Sequence, residues 1–169
     1  MVTDTQGVLP LGAQRPRRIV VIADEGWNFV SGAAPRSFDP LLDALKANGH
    51  EVRSFDPENL PTSDDCDLLL YLVGQEATPA ISHIYLDFTK LHGGSRLAMI
   101  QFNREVPTLL VSFGQPYYLY DAPNMSTCVN AYSALPGVQE ELAARLFGQR
   151  PFTGDSPVDP FCGLEQLRW

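Results

Sequence analysis

Asp24-Glu25-Gly26-Trp27 puts two carboxyl groups and an indole within four residues, directly after the apolar run Ile19–Ala23. Carboxyl groups move protons, and an aromatic face stacks on a pyranose ring. Sugar sites use that combination. The competing expectation is local: Asp24 or Glu25 caps the following segment and Trp27 packs against a neighbour. Two more short polar segments follow apolar runs, Gly74-Gln75-Glu76 and Gly114-Gln115-Pro116-Tyr117.

Other chemistries lack their patterns. Neither G-x-G-x-x-G nor G-x-x-x-x-G-K-[ST] occurs, and two adjacent acids repel a nucleotide phosphate, so no flavin or dinucleotide cofactor is expected. A phosphoacceptor domain needs an aspartate where this chain has Val73-Gly74 and a lysine where it has Ser133-Ala134-Leu135. Ser112 lacks the G-x-S-x-G elbow, because position 110 is Leu. His50, His83 and His92 share no metal or triad spacing with it, and His50 is expected to face solvent. Asp64, Asp65 and Asp67 read as a solvated turn, since no D-x-D-x-D-G loop follows. No metal site is expected.

The formal net charge of −8 argues against nucleic acid and anionic membranes, both of which select clustered Lys and Arg. The basic cluster Arg15, Arg17 and Arg18 reads as a solvated flank. Cys66, Cys128 and Cys162 are an odd count without C-x-x-C spacing, which suits free thiols and leans towards a reducing compartment. No basic, then apolar, leader opens the chain, so the cytoplasm is the expected location.

These polar segments must be carried by regular elements. Ile19–Ala23, Leu68–Val73 and Thr108–Phe113 are nearly continuous apolar runs, the pattern of strands buried on both faces of a parallel sheet. Glu51–Phe55 and Thr127–Tyr132 are weaker strands. Helices fall between them. One starts at Asp39-Pro40 and stops at Asn48-Gly49, with Asp39 as cap. Others are expected over 82–91, over 97–103, and from Pro136-Gly137 to Gly148. The alternation predicts an α/β three-layer sandwich with a mainly parallel five-stranded sheet in the flavodoxin-like order 2-1-3-4-5. Residues 1–17 read as an irregular linker-like segment, 18–150 as the sandwich, and 151–169 as an extended surface tail, one domain in all. In such a sheet, ligands sit beyond the carboxyl ends of the strands, where the three polar segments fall.

The order of motifs carries a resemblance. Val2-Thr-Asp-Thr-Gln-Gly-Val-Leu-Pro-Leu11, the strand Arg18–Ala23, Pro107–Tyr117, Ala131-Tyr132, Leu146–Gly154, Ser156-Pro-Val158 and the closing Gly163–Trp169 succeed one another along nearly the whole chain. This succession resembles the C-terminal α/β domain of family 3 glycoside hydrolases, the β-glucosidase and β-N-acetylhexosaminidase family, and the closing segment looks most like the hexosaminidase branch. The resemblance implies a preceding catalytic barrel that holds the nucleophile, a lysine-histidine motif and an aspartate-histidine pair. No segment matches these, and 169 residues do not hold a barrel of roughly 250. No residue here is then expected to be catalytic. The implied partner is the barrel, in cis or in trans, with a carbohydrate ligand near the joint. Asp24, Glu25, Trp27, Gln115 and Tyr117 are the implied substrate-flanking residues. The alternatives are a stand-alone binding or protein-interaction module, including a homodimer, and an independent small-molecule enzyme at the switch point.

Overall fold

The computed structural model describes residues 2–12, 14, 15, 17–24, 36–75, 85–94, 96–121, 125 and 127–164, with Leu119 described by its backbone alone. Strands β1 (Val2–Asp4), β2 (Arg18–Asp24), β3 (Glu51–Ser54), β4 (Leu68–Val73), β5 (Thr108–Ser112) and β6 (Thr127–Asn130) form one sheet in the order β1-β6-β5-β4-β2-β3. The five strands from β2 to β6 are parallel and keep the predicted order. The sheet is six-stranded rather than five-stranded, because Val2–Asp4 pairs antiparallel with β6. Asp4 secures that edge: its carboxylate accepts from the N–H groups of Val8 and Leu9 and from the Thr127 hydroxyl.

Every residue of β4, β5 and β6 is buried, as the continuous apolar runs require. Alternation along the strands divides the core in two. Ile19, Val21, Leu70, Leu109, Val111 and Val129 meet Leu41 and Leu45 of α1 (Asp39–Ala47) and Leu142 and Leu146 of α4 (Pro136–Leu146). Val20, Ile22, Leu69, Tyr71, Leu110 and Cys128 face the other layer. That layer is built from α2 (Phe88–Leu91), the 3-10 turn Phe102–Arg104, Tyr118 of α3 (Tyr118–Asp121), and Phe161 of the tail.

Gln139 joins the two helices of the first layer. Fully buried, it accepts from Leu41 N–H at 3.3 Å and donates to the carbonyls of Ser37 (2.9 Å) and Ala134 (2.7 Å). Leu41 N–H thus has two acceptors, the carbonyl of Phe38 at 3.1 Å and a side chain from α4.

Several expectations are corrected. The cap of α1 is Phe38 rather than Asp39; Pro40 stands in the first turn, and Ser37 Oγ accepts from Asp39 N–H. The helix expected over 97–103 is a turn followed by the short 3-10 segment. The strand expected to reach Tyr132 ends at Asn130, and Tyr132 adopts φ 65°. His50 is buried: its Nδ1 accepts from Arg17 N–H, so Nε2 carries the proton and donates to Leu11 O. Arg18, its side chain 41% exposed, stands at the solvated flank but also pairs with Asp67 through Nε–Oδ2 (3.1 Å) and Nη2–Oδ1 (2.8 Å). The tail docks through Phe161 in the second layer. Among the described residues, no helix is long and apolar enough to cross a membrane.

Candidate functional site

The loops after β2, β4 and β5 leave the carboxyl edge of the sheet side by side, because those strands are neighbours in register. Asp24 ends β2 opposite Val73, and Ser112 ends β5 opposite the same residue. Asp24, Gln115 and Tyr117 therefore share one edge. Glu25 and Trp27 lie outside the described residues.

Asp24 is largely buried, its side chain 13% exposed, and its Oδ1 accepts from Lys90 Nζ at 2.7 Å. Lys90 comes from α2, capped by Asp87 Oδ1 on Lys90 N–H. The Asp24 charge also reaches Tyr118. Burial raises the Tyr118 hydroxyl pKa first, and the neighbouring carboxylate raises it further. A phenol in that setting stays protonated and donates, here to Gln75 O at 3.4 Å.

The turn after β5 is tightly built. Ser112 Oγ donates to Gln115 O at 2.6 Å, which gives this serine a structural task rather than a nucleophile's. Gln115 Oε1 accepts from Tyr117 N–H at 3.0 Å. A Cβ on Gly114 would stand 2.4 Å from Gln75 O, so glycine lets the loops after β4 and β5 touch. Asn130, at the end of β6, donates through Nδ2 to Pro116 O at 3.4 Å. Tyr117 is 39% exposed beside this turn, an aromatic face open to a ligand.

The sequence places Asp24, Gln115 and Tyr117 just after strand ends, where the structure has them, and gives no sign that Lys90, Tyr118 and Asn130 adjoin them. The missing signal was spatial. Lys90 lies on a four-residue helix with no motif of its own, and Tyr118 and Asn130 gain meaning only through the loops they touch. Beside the edge, a groove of about 520 Å³ runs between the end of β6, α4 and residues 152–155. Among the described residues, no three or more His, Cys, Asp or Glu converge as metal ligands do. His92 is buried in a box of Phe55, Phe88, Phe102 and Tyr71. Its Nδ1–H donates to Leu97 O and its Nε2 accepts from Tyr71 OH at 2.9 Å, so both nitrogens are used structurally.

No family model matches the chain. Among curated proteins, it is 34% identical over 174 residues to the β-N-acetylglucosaminidase/β-glucosidase of Cellulomonas fimi, an alignment covering 96% of this chain and 30% of that protein. The matching part of such proteins is their C-terminal portion. Among solved structures, the β-glucoside phosphorylase BglX bound to 2FGlc superposes with a TM-score of 0.78 at 27% identity, over 96% of this chain and 29% of that one. A glycoside hydrolase family 3 β-N-acetylglucosaminidase from Paenibacillus sp. str. FPU-7 shares the fold, with a TM-score of 0.52 at 19% identity, over 88% of this chain and 28% of that one. The chain thus spans under a third of the length of these proteins.

Proposed function

Because this chain corresponds to the C-terminal α/β domain of the family 3 glycoside hydrolases, we propose that it packs on a catalytic barrel, in cis or in trans, and lends its carboxyl edge to the rim of a sugar site. In this reading Asp24, Gln115 and Tyr117 flank the sugar, with Glu25 and Trp27 continuing the same loop, and none of them is the nucleophile. The parent's substrate is a β-linked glucoside or N-acetylglucosaminide.

One observation carries the reading: the carboxylate of Asp24 is tied to Lys90 at 2.7 Å. A retaining glycosidase needs two carboxyl groups about 5–5.5 Å apart, one of them free to attack the sugar. Along the described strand-end segments, Asp24 stands with Gly74, Gln75 and Gly114–Tyr117, which supply amides and an aromatic ring but no second acid. Such an edge can orient hydroxyl groups and stack on a ring. Among these described residues, none joins Asp24 as the second acid of a displacement.

The test pairs the purified chain with aryl β-N-acetylglucosaminide and aryl β-glucoside. No turnover is expected from the chain alone. In the parent enzyme, Tyr117→Ala raises KM several-fold with a smaller change in kcat. Turnover by the isolated chain that disappears in Asp24→Ala contradicts the proposal.

A further inference from the structure

We propose that the groove between the end of β6, α4 and residues 152–155 binds a neutral, ring-bearing amphiphile, the aryl aglycone of a glycoside. This rests on the reading of the neighbouring edge as a sugar rim. At about 520 Å³ the groove lies within the roughly 300–1,000 Å³ range of small-molecule sites. Val138 and Leu142 of α4 and Phe152 of the tail give it apolar walls, and Tyr132 adds an aromatic ring, 37% exposed.

Three further observations converge on a ligand of this class. Tyr132 leaves β6 at φ 65°, an uncommon backbone state for a residue with a Cβ, and such strain concentrates at binding sites. Its hydroxyl is bonded to Ser156 Oγ at 2.9 Å, which fixes the residue beside the groove it lines. The groove's charges are already committed: Glu141 pairs with Arg145 at 2.7 Å and also with Arg150. Arg145 also donates to Pro151 O. The remaining acid, Asp155, is exposed at the rim and disfavours an anion. A neutral ligand meets apolar walls and hydrogen-bonding edges without breaking an ion pair.

The position fits the same chemistry. Tyr132 stands two residues beyond β6, and β6 is the neighbour of β5, whose end carries the Gly114–Tyr117 turn. Asn130 ties the two strand ends together through Pro116. The groove thus shares Asn130 with the turn that ends the proposed rim, and an aglycone follows its sugar.

The experiment records amide spectra of the ¹⁵N-labelled chain during titration with phenyl β-D-glucopyranoside and, separately, with D-glucose. The aryl glucoside is expected to shift the amides of Tyr132, Gly137 and Gly154 along one saturable curve, and glucose to leave them in place. Gly154→Trp is chosen to plug the groove, because a Cβ at that position meets nothing within 4 Å. Gly137→Leu is a second plug on the opposite wall, with the same open space at its Cβ. Both variants are expected to abolish the shifts while the rest of the spectrum stays dispersed. The proposal is overturned if the aryl glucoside leaves these amides unmoved, if glucose moves them equally, or if the shifts persist in both plugged chains. Shifts confined to Asp24, Gln115 and Tyr117 sink the groove and spare the rim. Groove shifts, with no effect of Tyr117→Ala in the parent enzyme, do the reverse.

Discussion

Lys90 reaches across the carboxyl edge of the sheet to Asp24, with Nζ donating to Oδ1 at 2.7 Å over a sequence separation of 66. The ammonium is half-exposed and the carboxylate is largely buried, so the pair acts more on position than on stability. Lys90→Met is expected to change unfolding free energy by less than about 1 kcal/mol. In the parent enzyme it should still raise KM for aryl glycosides, because Asp24 loses its tether. Denaturant unfolding of the chain and steady-state kinetics of the parent check the two halves separately.

Gly114 is where the loops after β4 and β5 touch. Gly114→Ala puts a methyl group 2.4 Å from Gln75 O, and the backbone must part to admit it. A cost of about 1–3 kcal/mol is expected, typical of overpacking. Gly154→Ala, with open space around the added Cβ, is the matched control and should change stability little. A urea titration of both variants distinguishes them.

Gln139 makes three hydrogen bonds, two of which, with Leu41 N–H and Ser37 O, hold α4 to the start of α1. Gln139→Leu fills similar volume but leaves the Ser37 and Ala134 carbonyls without this partner, while Leu41 N–H keeps Phe38 O. A loss of roughly 2–4 kcal/mol is expected, since each unpaired buried group costs about 1–3 kcal/mol and solvent recovers part of it. Thermal unfolding measures it.

His92 sets a pH dependence. Burial lowers its pKa below the ordinary value of 6.5, against a smaller opposing effect from Leu97 O. The unfolded chain then takes up this proton at higher pH than the folded chain does. Stability from this group is complete above about pH 6.5 and declines as pH falls through that value towards the folded pKa. Asp4, Asp65 and Asp67 have pKa values lowered below 3.8, so their contribution is lost only at more acid pH. Urea unfolding at pH 8, 6.5 and 5.5 should show a decline that His92→Gln removes. An unchanged decline in that variant assigns it elsewhere.

The parallel sheet was legible because burial on both faces leaves a local trace, an unbroken apolar run, in β2, β4 and β5. β1 left none. Val2–Asp4 is three residues long, and its strand state depends on β6, more than a hundred positions away. His50 was misplaced for a related reason. A histidine just past a helix stop looks exposed until Arg17 and Leu11 are brought to its two nitrogens. At the edge, the position of Asp24, Gln115 and Tyr117 after strand ends was legible, because the apolar runs mark where those strands stop. Lys90 and Tyr118 were not, since α2 and α3 are single turns whose amphipathic pattern is too short to read. The groove depends on a backbone angle at Tyr132 that residue type alone does not specify.

In the function proposed above, this chain shapes a sugar site without performing the displacement. The most direct measurement is release of aryl alcohol from aryl β-N-acetylglucosaminide by the purified chain, alone and joined to its barrel. No release above background is expected from the chain alone. Turnover in the joined enzyme is expected to survive Asp24→Asn with a raised KM. Turnover by the chain alone that Asp24→Asn abolishes would contradict the proposed function.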